Sequence, residues 1–405
     1  MLTPSNNICI FLLSLLLTCI LLVGTACSST GTTTLSVSTS TPAPTSTSHM
    51  PAAHVVYAQP NFTTSTLYPT GQNTLKNAGA ITSDMHGGFY VADYGNNRVL
   101  HFPSAGNNRV GPQADRVYGQ PDYTSNAVGH GAIELNYPHG VAVDLTGGLF
   151  VADTFNNRVL HYPQGSTTPD RVYGQPTYVS KESNGVSPIT LAHPEGLVVD
   201  GTGLYVADSN NNRVLHYASN STTADFVYGQ GTPGNSPSNL ATNSSGAGVY
   251  GLNVPRDVAV DRTGLYVCDS GNHRVTHYNI GNPLADRVYG QLGFAPTLIQ
   301  ANQGNAHPTA TTLNNPTGIA LDQRGGLYIA DRRNNRILYY AAFMQTTPND
   351  PPATGIYGQS SYTTKDASTT AKTFNGPGGV SIDTNGNVFV LDIFNQRVLT
   401  FTELG

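Results

Sequence analysis

The chain has 405 residues, with 24 acidic against 19 basic side chains, a formal charge of −5 and four cysteines. Only four of the basic residues are lysines, so no clustered cationic face is on offer to a phosphate backbone and nucleic acid is not the expected partner. Cys9, Cys19 and Cys27 all fall near the N-terminus and leave Cys268 alone, which excludes a disulfide framework or a cysteine-based zinc site in the remainder.

In chain order, Ile8 to Val23 is an apolar run of sixteen residues, short for a membrane span and suited to a signal-peptide core. Leu22-Val23-Gly24-Thr25-Ala26-Cys27-Ser28 then resembles a bacterial lipobox. That resemblance implies removal of residues 1–26 and lipidation of Cys27, with plain secretion or an uncleaved anchor as the alternatives. Residues 27–53 are dominated by Ser, Thr, Pro, Gly and Ala, too poor in apolar surface to fold. They read as a tether with a reach of roughly 30 Å.

From His54 onward the chain is repetitive. The frame apolar-x-Asp-x-x-Asn-x-Arg occurs six times in recognisable copies, with its Asp at Asp93, Asp153, Asp208, Asp269, Asp331 and Asp392. Its Arg follows at Arg98, Arg158, Arg213, Arg274, Arg336 and Arg397. A regular spacing of this length means one supersecondary unit used repeatedly. The second copy predicts four short strands: Gly140 to Asp144, Leu149 to Asp153, Arg158 to Tyr162, and Arg171 to Gly174. The first of these is rich in small and apolar residues, as for a strand covered on both faces. Asp-x-x-Gly, as in Asp144 to Gly147, closes the first hairpin. The Asp and Arg of the frame then face each other across the second. Six-fold repetition marks them as a structural pair, because catalysis needs one site and not six.

The fourth strand, Val-Tyr-Gly-Gln, begins at Val117, Val172, Val227 and Val288, with Ile356 heading a fifth copy. The sixth copy is out of order. Val56-Tyr57-Ala58-Gln59 precedes the first complete unit, whereas the last unit stops after its third strand. The N-terminal strand is therefore expected to complete the last blade and remove a free edge. Residues 54–405 read as an all-β domain, a six-bladed β-propeller of four-stranded antiparallel blades.

The frame Pro-x-Gly-Val-Ala-Val-Asp followed by Gly-Leu-Tyr-Val-Ala-Asp-Ser-x-Asn-x-Arg-Val resembles the NHL repeat. Leu252 to Pro255, leading to Asp269 to Val275, matches it most fully. The resemblance spans all six units and implies the propeller fold, but one propeller supports many activities.

Function is expected where the copies differ. The pair inside Asp-x-x-Asn supplies Tyr94, Phe155, Arg332, Arg333 and Phe394, and exposed aromatics and arginines are the usual interface anchors. The residue after the repeat Pro, nearest the channel, supplies His139, Glu195 and Arg256 on three neighbouring blades. These eight are the candidate ligand-binding residues. His101, His161, His216 and His277 share one strand position and read as structural, as does buried Cys268.

The expected function is that of a monomeric, extracytoplasmic, lipid-anchored and non-catalytic binding module. Its partner is a protein, a peptide or an envelope glycan, and no cofactor or metal is expected. The alternative is a metal-dependent lyase or hydrolase. Resemblance to the peptide-amidating lyase propellers implies a channel zinc on three histidines, for which His139, His193 and His307 are numerous enough, but the histidine contexts of that family do not map onto them. The gluconolactonase-like propellers imply carboxylate and Asn ligands, and only Glu195 offers a comparable carboxylate.

Overall fold

The structure, a computed structural model, describes residues 50–183, 185–230, 245–295, 300–342 and 349–404. The expected signal peptide, Cys27 and most of the tether lie outside the described residues. Strands follow the repeat closely: in the second unit they are Val141–Val143, Leu149–Asp153, Arg158–Tyr162 and Arg171–Tyr173. Six four-stranded antiparallel sheets result, and their inner strands pack against one another in a ring.

Alternation of side chains explains why the second strand is buried throughout. Leu149 and Val151 join a cluster with Tyr90, Ala92 and Tyr118 of the first blade, while Phe150 and Ala152 join Leu197, Leu204 and Val206 of the third. Each blade is thus sandwiched between its neighbours. Val55–Tyr57 pairs with the last strand in the register Val55 to Thr400 and Tyr57 to Val398, completing the sixth blade as the sequence predicts.

The Asp and Arg of the frame meet at 2.7–2.8 Å in all six units, with side chains at most 1% exposed. In the second unit the other Asp153 oxygen accepts the Asn136 backbone N–H, and Arg158 Nη2 donates to the carbonyls of Gly131 and Glu134. The pair therefore fastens the incoming connection to the hairpin.

A further bond links the blades. The residue before each frame Arg is left-handed, as at Asn157 with φ 52°, a conformation Asn tolerates better than most. Its side chain accepts the backbone N–H that opens the next blade, Asn157 from His193 at 2.9 Å. The same bond recurs from Tyr137, Val254, Asn315 and Gly376 to Asn97, Asn212, His273 and Asn335, and Gln396 accepting from Asn77 closes the ring. The four structural histidines each pair with an Asp at the start of the fourth strand, at 2.5–2.7 Å.

Candidate functional site

Because strands alternate in direction, the Asp-x-x-Asn turns and the connections between blades share one face of the disc. At the channel mouth on that face lies a cavity of about 480 Å³, a size suited to a small ligand or side chain. Tyr94, Phe155, Arg332 and Phe394 from the turns and His139, Glu195 and Arg256 from the inner strands all line it. The eighth candidate, Arg333, is exposed and outside the lining. It lies instead beside His273, where burial and then its charge lower the histidine pKa.

Local bonds fix the turns. Thr154 Oγ1 donates to the Pro194 carbonyl at 2.8 Å, and Ser209 Oγ donates likewise to Pro255. Each ties a turn to the next blade's inner strand. Phe155, the second residue of its pair, is left 42% exposed and packs on His193 with ring centroids 4.7 Å apart. Tyr137 continues this aromatic wall, 5.0 Å from Phe155 and 4.8 Å from Tyr94. Asn210 Nδ2 and His193 Nδ1 are 2.8 Å apart, within hydrogen-bond reach.

A charged cluster adjoins the wall, where His139 meets Tyr94 edge-on with ring centroids 6.2 Å apart. Arg256 Nη1 donates to Glu195 Oε2 at 2.9 Å, and His139 Nε2 lies 3.8 Å from the same oxygen. Burial pushes Glu195 up to about 7 against the opposing pull of Arg256 and Arg332. Burial, reinforced by the same two arginines, pushes His139 down to about 3, so at neutral pH it is uncharged and its contact with Glu195 is not an ion pair. Among the described residues, His139 Nδ1 is buried without a hydrogen-bond partner. Arg332 lies over the Phe394 ring at 5.3 Å. Among the described residues its guanidinium makes no ion pair or hydrogen bond, and burial with the nearby Arg256 and Arg333 lowers its pKa.

Deeper in the channel is a second cavity of about 260 Å³, walled by inner-strand residues such as Val141, Val258 and Ile319. Among the described residues, Asp257 is its one ionisable lining residue. It accepts the backbone N–H groups of Val258 and Ile319 at 2.9 Å. Burial, reinforced by Glu195, pushes it up to about 7. The sequence reading missed this residue, although its signal was there: the fourth copy reads Pro-Arg-Asp where others have Gly140, Gly196, Gly318 and Gly379.

The histidine trio of the lyase alternative does not assemble: His139 and His193 line the upper cavity, whereas His307 is exposed elsewhere. Among the described residues no three His, Cys, Asp or Glu side chains come together to hold a metal ion. The channel residues therefore do not fit a three-histidine zinc site. Cys268 is buried beneath the inner strands, and burial raises its thiol pKa.

Residues 135–162, 191–217, 252–278 and 313–340 match the family model of the NHL repeat. A structural genomics protein of unknown function from Bacteroides thetaiotaomicron superposes with a TM-score of 0.55 at 14% identity, covering 86% of this chain and 75% of its own. At that identity the likeness is one of fold. Kuenenia stuttgartiensis hydrazine synthase superposes with a TM-score of 0.49 at 12% identity, over 81% of this chain and 96% of that one. Virginiamycin B lyase from Staphylococcus aureus does so with 0.46 at 12% identity, over 84% and 98%. No curated protein matches the chain.

Proposed function

We propose that this chain, which is an NHL-repeat six-bladed propeller, acts as a non-catalytic recognition module. We place it outside the cytoplasm on a lipid anchor at Cys27 and assign it a polypeptide partner. One observation carries the reading. Positions at which the six copies diverge converge on a single cavity at the channel mouth, while the repeated Asp and Arg residues are sealed from solvent. A polypeptide is favoured over a glycan because the connections on that face also expose Leu67, Val128, Ile133, Val179 and Ile189, each at least 55%. Aliphatic groups shown to water in this way suit protein contact.

Alanine at Phe155, Arg332 and Phe394 should weaken capture of the partner from native envelopes, with about 2 kcal/mol lost at one or two of them. Melting should not fall. Undiminished capture by all three variants would contradict the assigned face. Mass spectrometry of the N-terminal residue tests the anchor, and an unmodified Cys27 would contradict it.

A second reading, an acid-base lyase or hydrolase, is favoured by Glu195, pushed up to about 7 beside His139. A group poised near neutrality suits proton transfer. Chemical turnover of a captured partner that Glu195→Gln abolishes would replace the binding reading with this one.

A further inference from the structure

The charges around the upper cavity do not balance. Glu195 is engaged by Arg256, and His139 is neutral at physiological pH. That leaves the guanidinium of Arg332 facing the cavity over the ring of Phe394, within the field of Glu195 but with no ion pair or hydrogen bond of its own among the described residues. Burying a cation partly, beside a second arginine and without a direct ion pair, costs stability. Another part of the lining is aromatic, built from Tyr94, Phe155 and His193 with Tyr137 behind, their rings tilted against one another. One cavity thus offers both a planar cation and an aromatic surface.

We propose that the cavity is a carboxylate-recognition site whose ligand is the C-terminus of a peptide ending in an aromatic residue. Arg332 receives the carboxylate through two parallel N–H donors, the geometry that a guanidinium shares with a carboxylate. The terminal aromatic ring packs against Phe155 and His193. Asn210, whose amide already reaches His193, is placed at the same wall to meet the peptide backbone. Arg256, tied to Glu195, sets the field and stays with its own partner. This assignment rests on the channel-mouth reading above and narrows it to one ligand chemistry.

The test uses the full chain and small probes, so it does not depend on finding the natural partner. N-acetylphenylalanine, its C-terminal amide and inorganic phosphate are titrated by calorimetry against the native protein and the Arg332→Gln and Arg332→Lys variants. The acid should bind at least tenfold more tightly than the amide. Arg332→Gln should erase that difference without lowering the melting temperature, and Arg332→Lys should keep part of it. Equal affinity for acid and amide, or an acid affinity indifferent to Arg332→Gln, overturns the proposal. Phosphate competing on equal terms with the acid overturns it in favour of a phosphorylated ligand. Absence of acid binding at millimolar concentration also overturns it. Partner capture that still fails in the Phe155→Ala variant would then keep the binding face while removing the carboxylate ligand, so the two readings fail separately.

Discussion

Replacing Asp153 with Asn changes one charge and almost no volume. The carboxylate takes three bonds: Arg158 Nε at 2.7 Å, Asn156 Nδ2 at 2.8 Å and the Asn136 backbone N–H at 2.7 Å. An amide can keep the backbone bond through its oxygen. Its NH₂ group must then face the Arg158 and Asn156 donors, and a guanidinium with 0% exposure loses its counter-charge. Breaking a buried pair from one side costs about 3–5 kcal/mol. Arg158 also holds the carbonyls of Gly131 and Glu134 at 2.9 Å, so the incoming connection should loosen with it.

The chain has no tryptophan and 22 tyrosines, which makes tyrosine fluorescence and far-UV circular dichroism the probes for urea unfolding. A loss below about 1 kcal/mol, the worth of an exposed pair, would refute the buried-frame account. Retained stability with lost partner binding would refute the structural assignment of the frame altogether.

Deleting residues 54–62 removes the strand that pairs with Arg397–Thr402 and the Gln59 bond to the Gln396 carbonyl, so a lower melting temperature or aggregation should follow. An unchanged melting curve would disprove the closure. The channel predicts a hidden pH dependence. Glu195, at about 7 in the fold against 4.5 ordinarily, gives stability that is full below about 4.5 and lost as pH rises through 7. His139, at about 3 against 6.5, gives stability that is full above about 6.5 and lost as pH falls. Between pH 7 and 5 the two slopes oppose, so His139→Gln should gain about 2 kcal/mol relative to the native chain over that interval. A constant difference between the two unfolding curves across it would contradict these assignments.

The fold was legible because the propeller repeats its instructions. Strand bounds at Leu149–Asp153 and Arg158–Tyr162 agree with the sequence reading residue for residue, since Asp and Arg punctuate each copy. The spare Val56-Tyr57 pair announced the closure. The inter-blade bond was not legible, because Asn157 reads as an ordinary turn residue until its partner His193, 36 residues on, is placed beside it. Its chemical equivalents His273 and Gln396 disguise the pattern further. At the channel mouth, seven of the eight candidates picked out by divergence among the copies line the cavity. Arg333 stands outside that lining, because adjacency to Arg332 in sequence says nothing about which of two successive turn side chains the cavity accepts. Asp257 was passed over because its five counterparts are small and silent, although a carboxylate in place of Gly beside a channel is a local conflict of the kind that marks a functional position.

The most direct measurement of the central claim, recognition at the channel mouth, is site-specific photo-crosslinking in native envelopes. The photoreactive side chain is placed either at Phe155 or at Leu145, an 84% exposed residue of the opposite-face turns. The account predicts one discrete crosslinked species from position 155, competed away by N-acetylphenylalanine, and none from position 145. A discrete species from position 145 alone would contradict it.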